Sequence, residues 1–300
     1  MSDTSRFPLL VTGASGHLGR RVITHLLERE HVPAAAIIAT TRTPDALSDF
    51  AARGVAVREA TFDDPAELAQ AFAGAKRLLI ISTDAVDRPG VRLQQHRTAV
   101  DVARQVGAAH VIYTSMPKPE PGSPIPFAPD HYGTEQALAG SGLSYTVLRM
   151  CWYMDFLLQT LPPVIASGQW FLASGDGRVA YVAREDCARA AAAALAADTT
   201  TSATYTVTGP KAHTSEEVAA LATEVTGKPI EVVQLTPEAL TQGLLDAGLP
   251  PGVAAFLSAL DRNTKAGNVS LVTDTVARLT GAAPQSLRDF LRDHVAALSA

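Results

Sequence analysis

The segment Thr12-Gly13-Ala14-Ser15-Gly16-His17-Leu18-Gly19 sets glycines at G-x-x-G-x-x-G spacing between an apolar run and an amphipathic stretch. Leu9-Leu10-Val11-Thr12 before it reads as a strand. Gly19–Arg29 after it reads as a helix with Val22, Ile23, Leu26 and Leu27 on one face. Few folds pass from strand to helix through such a loop. Gly13 allows the tight turn, Gly16 lets backbone approach a pyrophosphate, and Gly19 permits close packing of helix on strand. The helix N-terminus adds N–H groups and the positive end of its dipole. The loop therefore marks a dinucleotide-binding βαβ unit rather than an ordinary turn.

Further strands are expected at Ile37–Thr41, Val55–Phe62, Arg77–Ser82, Val111–Ser115 and Tyr145–Met150, with a helix over Pro65–Phe72 opened by its proline. The strand runs are nearly continuous in apolar residues, which belongs to parallel strands covered on both faces. The expected fold class is α/β, a Rossmann-type doubly wound parallel sheet. After Met150 the pattern loosens. Val179–Ala183 reads as a strand, Asp186–Ala197 as a helix, and Thr204–Thr208 as a strand completing the sheet. From His213 the chain reads as mostly helical, apart from a strand at Ile230–Leu235 and a turn at Leu249-Pro250-Pro251-Gly252. This gives a dinucleotide-binding core over 1–155 and a smaller, mostly helical substrate lobe over 156–300, with 179–208 returning to the core.

Composition excludes several classes. Of 300 residues, 47% are hydrophobic and 18% charged, which is incompatible with a disordered chain. With 25 basic against 30 acidic residues, the chain lacks the basic excess of a general nucleic-acid binder. Cys151 and Cys187 are the only cysteines and make neither a disulfide framework nor a zinc site. The eight histidines show no H-E-x-x-H pattern, so no metal is expected, and no G-x-S-x-G elbow is present. Met1–Arg6 is short and polar, without the features of a signal peptide. The longest apolar run, around Ala188–Ala197, falls short of the roughly 20 residues a bilayer requires. A cytoplasmic protein binding neither membrane nor nucleic acid is expected.

The end of the second strand reports which dinucleotide is bound. An acidic residue there would hold the ribose hydroxyls of NAD, whereas an arginine accommodates the phosphate of NADP. The segment is Thr40-Thr41-Arg42-Thr43-Pro44, with no carboxylate before Asp45. Arg42 offers a bidentate fork, and Thr41 or Thr43 a hydroxyl. NADP(H) is expected in preference to NAD; the alternative is Arg42 as a solvated surface charge.

These residues, together with Leu78-Leu79-Ile80-Ile81-Ser82, Gln95-His96-Arg97, Tyr113-Thr114-Ser115, Leu148-Arg149, Trp152-Tyr153, Gly175-Asp176-Gly177 and Arg184 to Ala188, resemble the NmrA-like atypical short-chain dehydrogenases, in particular their bacterial NAD(P)H:quinone oxidoreductase group. The resemblance implies that Gly13, Ser15, Gly16, His17 and Leu18 wrap the pyrophosphate. It also places Asp63 near the adenine, Ser82 and Thr83 near the ribose, and Thr114 and Ser115 beside the nicotinamide. Short-chain dehydrogenases usually carry Y-x-x-x-K on the next helix. Here the segment is Tyr132-Gly133-Thr134-Glu135-Gln136, with glutamine for lysine. Gln136 can bond a ribose hydroxyl but carries no charge to depress a phenol pKa near 10. Tyr132, the adjacent His131 and Ser115 are the candidate catalytic residues, the alternative for Tyr132 being a helix residue without a role and for His131 a surface histidine. A quinone tolerates the missing lysine, because hydride addition yields a resonance-stabilised anion that needs little general-acid help.

Trp152, Tyr153, Phe156, Trp170 and Phe171 crowd five aromatics into twenty residues. Met150, Trp152, Tyr153 and Phe156 are the candidate pocket for a flat ring system, and the core of the smaller lobe is the other reading. Six prolines in Met116–Asp130 stiffen a loop read as a wall, or else as a surface excursion. The leading function is hydride transfer from NADPH to a quinone or related aromatic carbonyl. The alternatives are a tailoring enzyme that oxygenates an aromatic polyketide or forms its hydroquinone, and a dinucleotide-binding redox sensor without turnover. A small aromatic substrate and a homodimer are the expected partners, with a regulatory protein only under the sensor reading.

Overall fold

The computed structural model describes residues 7–298, so the Met1–Arg6 segment read above lies outside the described residues. In chain order the first elements are β1 (Leu9–Val11), α1 (His17–Glu28), β2 (Ile37–Thr41), α2 (Ser48–Ala52), β3 (Ala56–Glu59), α3 (Pro65–Phe72), β4 (Arg77–Ile80), α4 (Val91–Gln105), β5 (His110–Ser115), α5 (Ala128–Gly140) and β6 (Ser144–Met150). There follow α6 (Leu157–Ser167), β7 (Gln169–Leu172), α7 (Arg184–Ala196), β8 (Ala203–Val207), α8 (Ser215–Thr226) and β9 (Glu231–Gln234). The last are α9 (Pro237–Asp246), α10 (Pro251–Lys265), α11 (Thr275–Thr280), α12 (Leu287–Asp293) and α13 (Val295–Leu298).

By internal contacts the chain forms two compact units, the first of residues 1–116, 129–149 and 187–206, the second of 117–128, 150–186 and 207–300. The first holds a seven-stranded sheet of order β3-β2-β1-β4-β5-β6-β8. Pairings β1–β2, β1–β4, β2–β3, β4–β5 and β5–β6 are all parallel. Every residue of β1, β2, β4 and β5 is buried, as strands covered on both faces require, while the edge strand β3 is only partly so. Leu10, Phe72, Leu78, Val111 and Tyr113 anchor its core.

Two polar groups are built into this sheet. Arg77 on β4 is 3% exposed. Its Nε donates to Leu195 O (2.9 Å), Nη1 to Thr199 O (2.7 Å) and Nη2 to Ala194 O (3.1 Å), which satisfies carbonyls at and beyond the end of α7. His110 on β5 sits between two hydroxyls of β6. Ser144 Oγ donates to Thr200 O, so His110 Nδ1–H donates to Ser144 Oγ (2.7 Å) and Nε2 accepts from Thr146 (2.8 Å). Burial and the charge of Arg77 hold this imidazole neutral, its pKa lowered to about 4.

In the second unit Leu157, Leu161, Trp170, Val218, Phe290 and Leu291 pack together, and β7 pairs in parallel with β9. The strand expected at Val179–Ala183 does not form. Its backbone bonds scatter instead: Val179 exchanges bonds with His213, Ala180 N–H reaches Val269 O, and Val182 N–H reaches Trp152 O. Only isolated bridges to Tyr153 and His213 result. β7, whose Trp170 is buried and Phe171 48% exposed, was hidden within the aromatic cluster. Among the described residues no helix is long and apolar enough to cross a membrane.

Candidate functional site

In the first unit the loops leaving β1, β2, β3 and β4 enclose a cleft of about 230 Å³ with one residue of α4. Its lining is Gly13, Ser15 and Gly16; Thr40, Thr41 and Arg42; Ala60, Thr61, Phe62 and Asp63; Ile81, Ser82, Thr83 and Asp84; and Gln95. These are carboxyl ends of parallel strands around the point where the chain reverses its order between β1 and β4, the place where such sheets bind ligands.

The glycine loop has the geometry of a cradle. Gly13 adopts φ +57°, a left-handed conformation that side chains resist. A Cβ on Gly19 would lie 2.4 Å from Gly13 O, so only glycine lets α1 close on the loop. Ala14 N–H donates to Thr40 O (3.0 Å), and Ser15 and Thr41 share a hydroxyl bond of 2.8 Å, which ties the loop to β2. The α1 N-cap, Gly16, has no side-chain capping bond and the first turn carries no acid, leaving its positive end open to an anion. Arg42 extends from the end of β2, with Nη2 3.5 Å from Asp84 Oδ2. Gln95 Nε2 donates to Asp63 Oδ1 at 2.8 Å.

Of the residues expected at a cofactor, Gly13, Ser15, Gly16, Arg42, Asp63, Ser82 and Thr83 line the cleft. His17 is exposed at the start of α1, whereas Leu18 and Gly19 are buried on its packing face. Thr114 is buried behind the wall, where its Oγ1 accepts from Ser82 N–H (2.9 Å). Gln136 lies exposed on α5. Thr61, Phe62, Asp84 and Gln95 were missed, although the rule that ligands gather at strand carboxyl ends reaches the first three.

Behind Thr83 lies a buried polar network. Thr83 N–H donates to His96 Nε2 (2.9 Å) and Arg92 Nε donates to Thr83 O (2.7 Å), so side chains of α4 grip both backbone groups. Arg92 Nη2 donates to His131 Nε2 (3.1 Å), since a guanidinium has nothing to accept with. His131 Nδ1–H then donates to Tyr113 Oη (2.9 Å), and His96 Nδ1–H to Thr134 Oγ1 (2.9 Å), which itself donates to Asp130 O (2.6 Å). Burial, reinforced by Arg92, lowers the His96 pKa to about 3 and the His131 pKa well below its usual value; burial also raises Tyr113. His131 is 4% exposed, neutral and engaged at both ring nitrogens, so it is neither the surface histidine nor the proton source considered from sequence.

Ser115, at the end of β5, donates to Glu135 Oε1 (2.6 Å), and Glu135 is held bidentately by Arg149 Nε (3.0 Å) and Nη2 (2.6 Å). With its proton so committed, Ser115 presents lone pairs and accepts hydrogen bonds rather than donating them. Tyr132 stands half-buried on α5.

In the second unit Met150 is buried and accepts at Sδ from Tyr153 Oη (3.4 Å). The Tyr153 ring stacks on Phe156 at 5.9 Å and 21°, with the Arg184 guanidinium 5.2 Å from its centroid. Arg184 is fixed in turn by Asp155 (3.0 Å). Phe156 is 49% exposed and Trp152 is half-buried, whereas Trp170 belongs to the core. The aromatic cluster thus divides into an open platform and a packed interior.

The model of the NmrA-like family matches residues 7–278. Quinone oxidoreductase 2 of Escherichia coli (strain K12) is 34% identical over 273 residues, covering 91% of this chain and 93% of its own. The NAD(P)H azoreductase of Xenophilus azovorans is 25% identical over 292 residues, covering 97% and 99%. Among solved structures, Citrobacter sp. triphenylmethane reductase complexed with NADP(H) superposes with a TM-score of 0.87 at 34% identity, covering 95% and 99%. The extent of these matches, together with the glycine cradle and the strand order, makes this chain a member of the NmrA-like family.

Proposed function

We infer that this chain is an NADPH-dependent oxidoreductase that reduces quinones or other planar aromatic acceptors. The observation that carries the reading is the strand-end cleft, where a glycine cradle and Arg42 stand together and no acid ends β2. The site fits a phosphorylated dinucleotide in two respects: a Cβ would close the cradle, and the Arg42 fork suits a phosphate. When bound, the nicotinamide supplies a hydride to the acceptor.

The chain's own residues orient and bind. Gly13, Ser15, Gly16 and the α1 terminus hold the pyrophosphate, and Arg42 holds the ribose phosphate. Asp63, held by Gln95, serves the adenine end, and Ser82 and Thr83 serve a ribose. Thr114 acts by bracing Ser82. Ser115, as an acceptor, suits an amide N–H. Met150, Trp152, Tyr153 and Phe156 offer a ring acceptor its contact surface. Tyr132 is the candidate proton donor, acting without a lysine, which a quinone tolerates better than a ketone. The relatives named for quinones, azo compounds and triphenylmethane dyes share conjugated aromatic acceptors, and this supports the substrate class. We place the protein in the cytoplasm on its sparing use of cysteine, two buried residues, Cys151 and Cys187, which suits a reducing compartment.

The test is to mix purified protein with NADPH and a panel of quinones and follow loss of nicotinamide absorbance. Enzyme-dependent loss with a defined hydroquinone is expected. Cofactor binding without any loss would reject quinone reduction and favour a sensor.

A further inference from the structure

The cleft is poorly charged for the ligand proposed for it. Among its lining residues Arg42 is the only cation, against two carboxylates, Asp63 and Asp84. Asp63 is engaged by Gln95 Nε2 at 2.8 Å. Asp84 instead faces Arg42 at 3.5 Å, with side chains 82% and 70% exposed, and a pair so open to water adds little to folding. Its position is more informative than its strength. Arg42 follows β2 and Asp84 follows β4, the two neighbours of β1. At roughly 4.8 Å per strand those ends stand about 10 Å apart, and the ion pair closes the gap beside the loop that leaves β1.

We propose that Asp84 is a specificity-determining residue: its carboxylate occupies the Arg42 guanidinium that a ribose 2′-phosphate must take. It thereby limits how tightly, and how selectively over NAD(H), the cleft holds NADP(H). This rests on the NADP(H) reading above. A phosphate entering the Arg42 fork must displace the carboxylate and then remain near it, two anions sharing one cation. A dinucleotide with a plain hydroxyl at that place neither breaks the pair nor meets the repulsion. Asp84 therefore acts against the phosphorylated cofactor alone. The consequence is faster release of NADP⁺ than the glycine cradle and arginine would give by themselves.

The experiment titrates NADPH and NADH, by nicotinamide fluorescence, into the wild type, Asp84→Asn, Arg42→Ala and the double variant. Asparagine keeps the shape of an exposed side chain, and matching far-UV circular dichroism and thermal melts establish that the fold is retained. Removing one charge about 4 Å from a phosphate bearing up to two charges should tighten NADPH about three- to tenfold in water at physiological salt. NADH should be unchanged, and the NADPH gain should shrink at high salt as screening sets in. The gain should also be smaller when Arg42 is absent, because no fork is then contested. Equal tightening of both cofactors, no change, or weaker NADPH binding would each overturn the proposal, the last by making Asp84 a direct ligand of the cofactor. If Arg42→Ala costs NADPH no affinity, the phosphate assignment itself fails and the Asp84 proposal falls with it. If Arg42→Ala weakens NADPH while Asp84→Asn does not tighten it, only the Asp84 proposal fails.

Discussion

His96, His110 and His131 are all locked in one tautomer, each donating at Nδ1 and accepting at Nε2. Acid should therefore unfold the protein earlier than its carboxylates alone would dictate. The folded pKa values lie near 3 for His96 and near 4 for His110, and well below 6.5 for His131, so in the window from about pH 6.5 downward the unfolded chain takes up protons that the folded chain refuses. Stability must fall as pH falls, and it does so until the folded values are reached. For an unfolded pKa of about 6.5, His96 and His110 each cost ~0.2 kcal/mol at pH 7 and ~1.4 kcal/mol at pH 5.5, so the two remove ~2.5 kcal/mol over that interval and His131 adds to the loss in the same direction. This is a large share of the ~5–15 kcal/mol that holds a domain folded. Urea unfolding at pH 7 and pH 5.5 measures it directly. His110→Gln, which keeps one hydroxyl partner, should recover about a third of the decline whatever its effect at neutral pH. A wild-type stability flat across the interval, or a His110→Gln variant as steep as the wild type, would refute the reasoning.

Arg77→Met should cost about 3 kcal/mol in chemical denaturation, because it orphans carbonyls at the end of α7, and Arg77→Lys should restore only part of it. Gly19→Ala should abolish dinucleotide binding in a fluorescence titration, since its Cβ meets rigid backbone at 2.4 Å. Gly133→Ala, whose 2.8 Å contact is a leucine methyl free to turn, should bind nearly as wild type. Glu135→Gln should lower the unfolding free energy by about 3 kcal/mol, as it breaks the buried bidentate ion pair with Arg149.

The parts of the fold set by local chemistry were legible. β2 and α3 begin and end where their apolar run and their N-terminal proline indicate, and the glycine loop, with Arg42, stands at the cleft. What escaped depended on partners distant in sequence. The segment from Val179 to Ala183 has a strand's composition, but no single neighbour offers it a ladder. The buried face of α4 runs through Arg92, Gln95, His96, Ala99, Val100, Val102 and Ala103, a regular helical stripe whose first half is polar. Hydrophobic periodicity cannot register such a face, because the groups that make Arg92 and His96 tolerable in the interior come from Thr83, His131 and Thr134. His131, beside Tyr132 on α5, turns inward to Arg92 and Tyr113. The chemistry of the residue type was visible, but the helix face was not.

The division of the chain into units whose segments alternate has a consequence for how such a protein is made and how it can change. β8, the last strand of the seven-stranded sheet, is synthesised only after α6, β7 and α7. An N-terminal fragment ending anywhere before residue 203 lacks that edge strand, and one ending before 194 also lacks the carbonyls that bury Arg77. No single cut therefore yields the nucleotide-binding unit without segments of the second unit, 117–128 and 150–186, carried along. Lifting it out as a module, or lending it to another protein, means taking those segments with it. Variation in what such a chain reduces must come by substitution within the interleaved segments, residue by residue, with the sheet kept intact throughout.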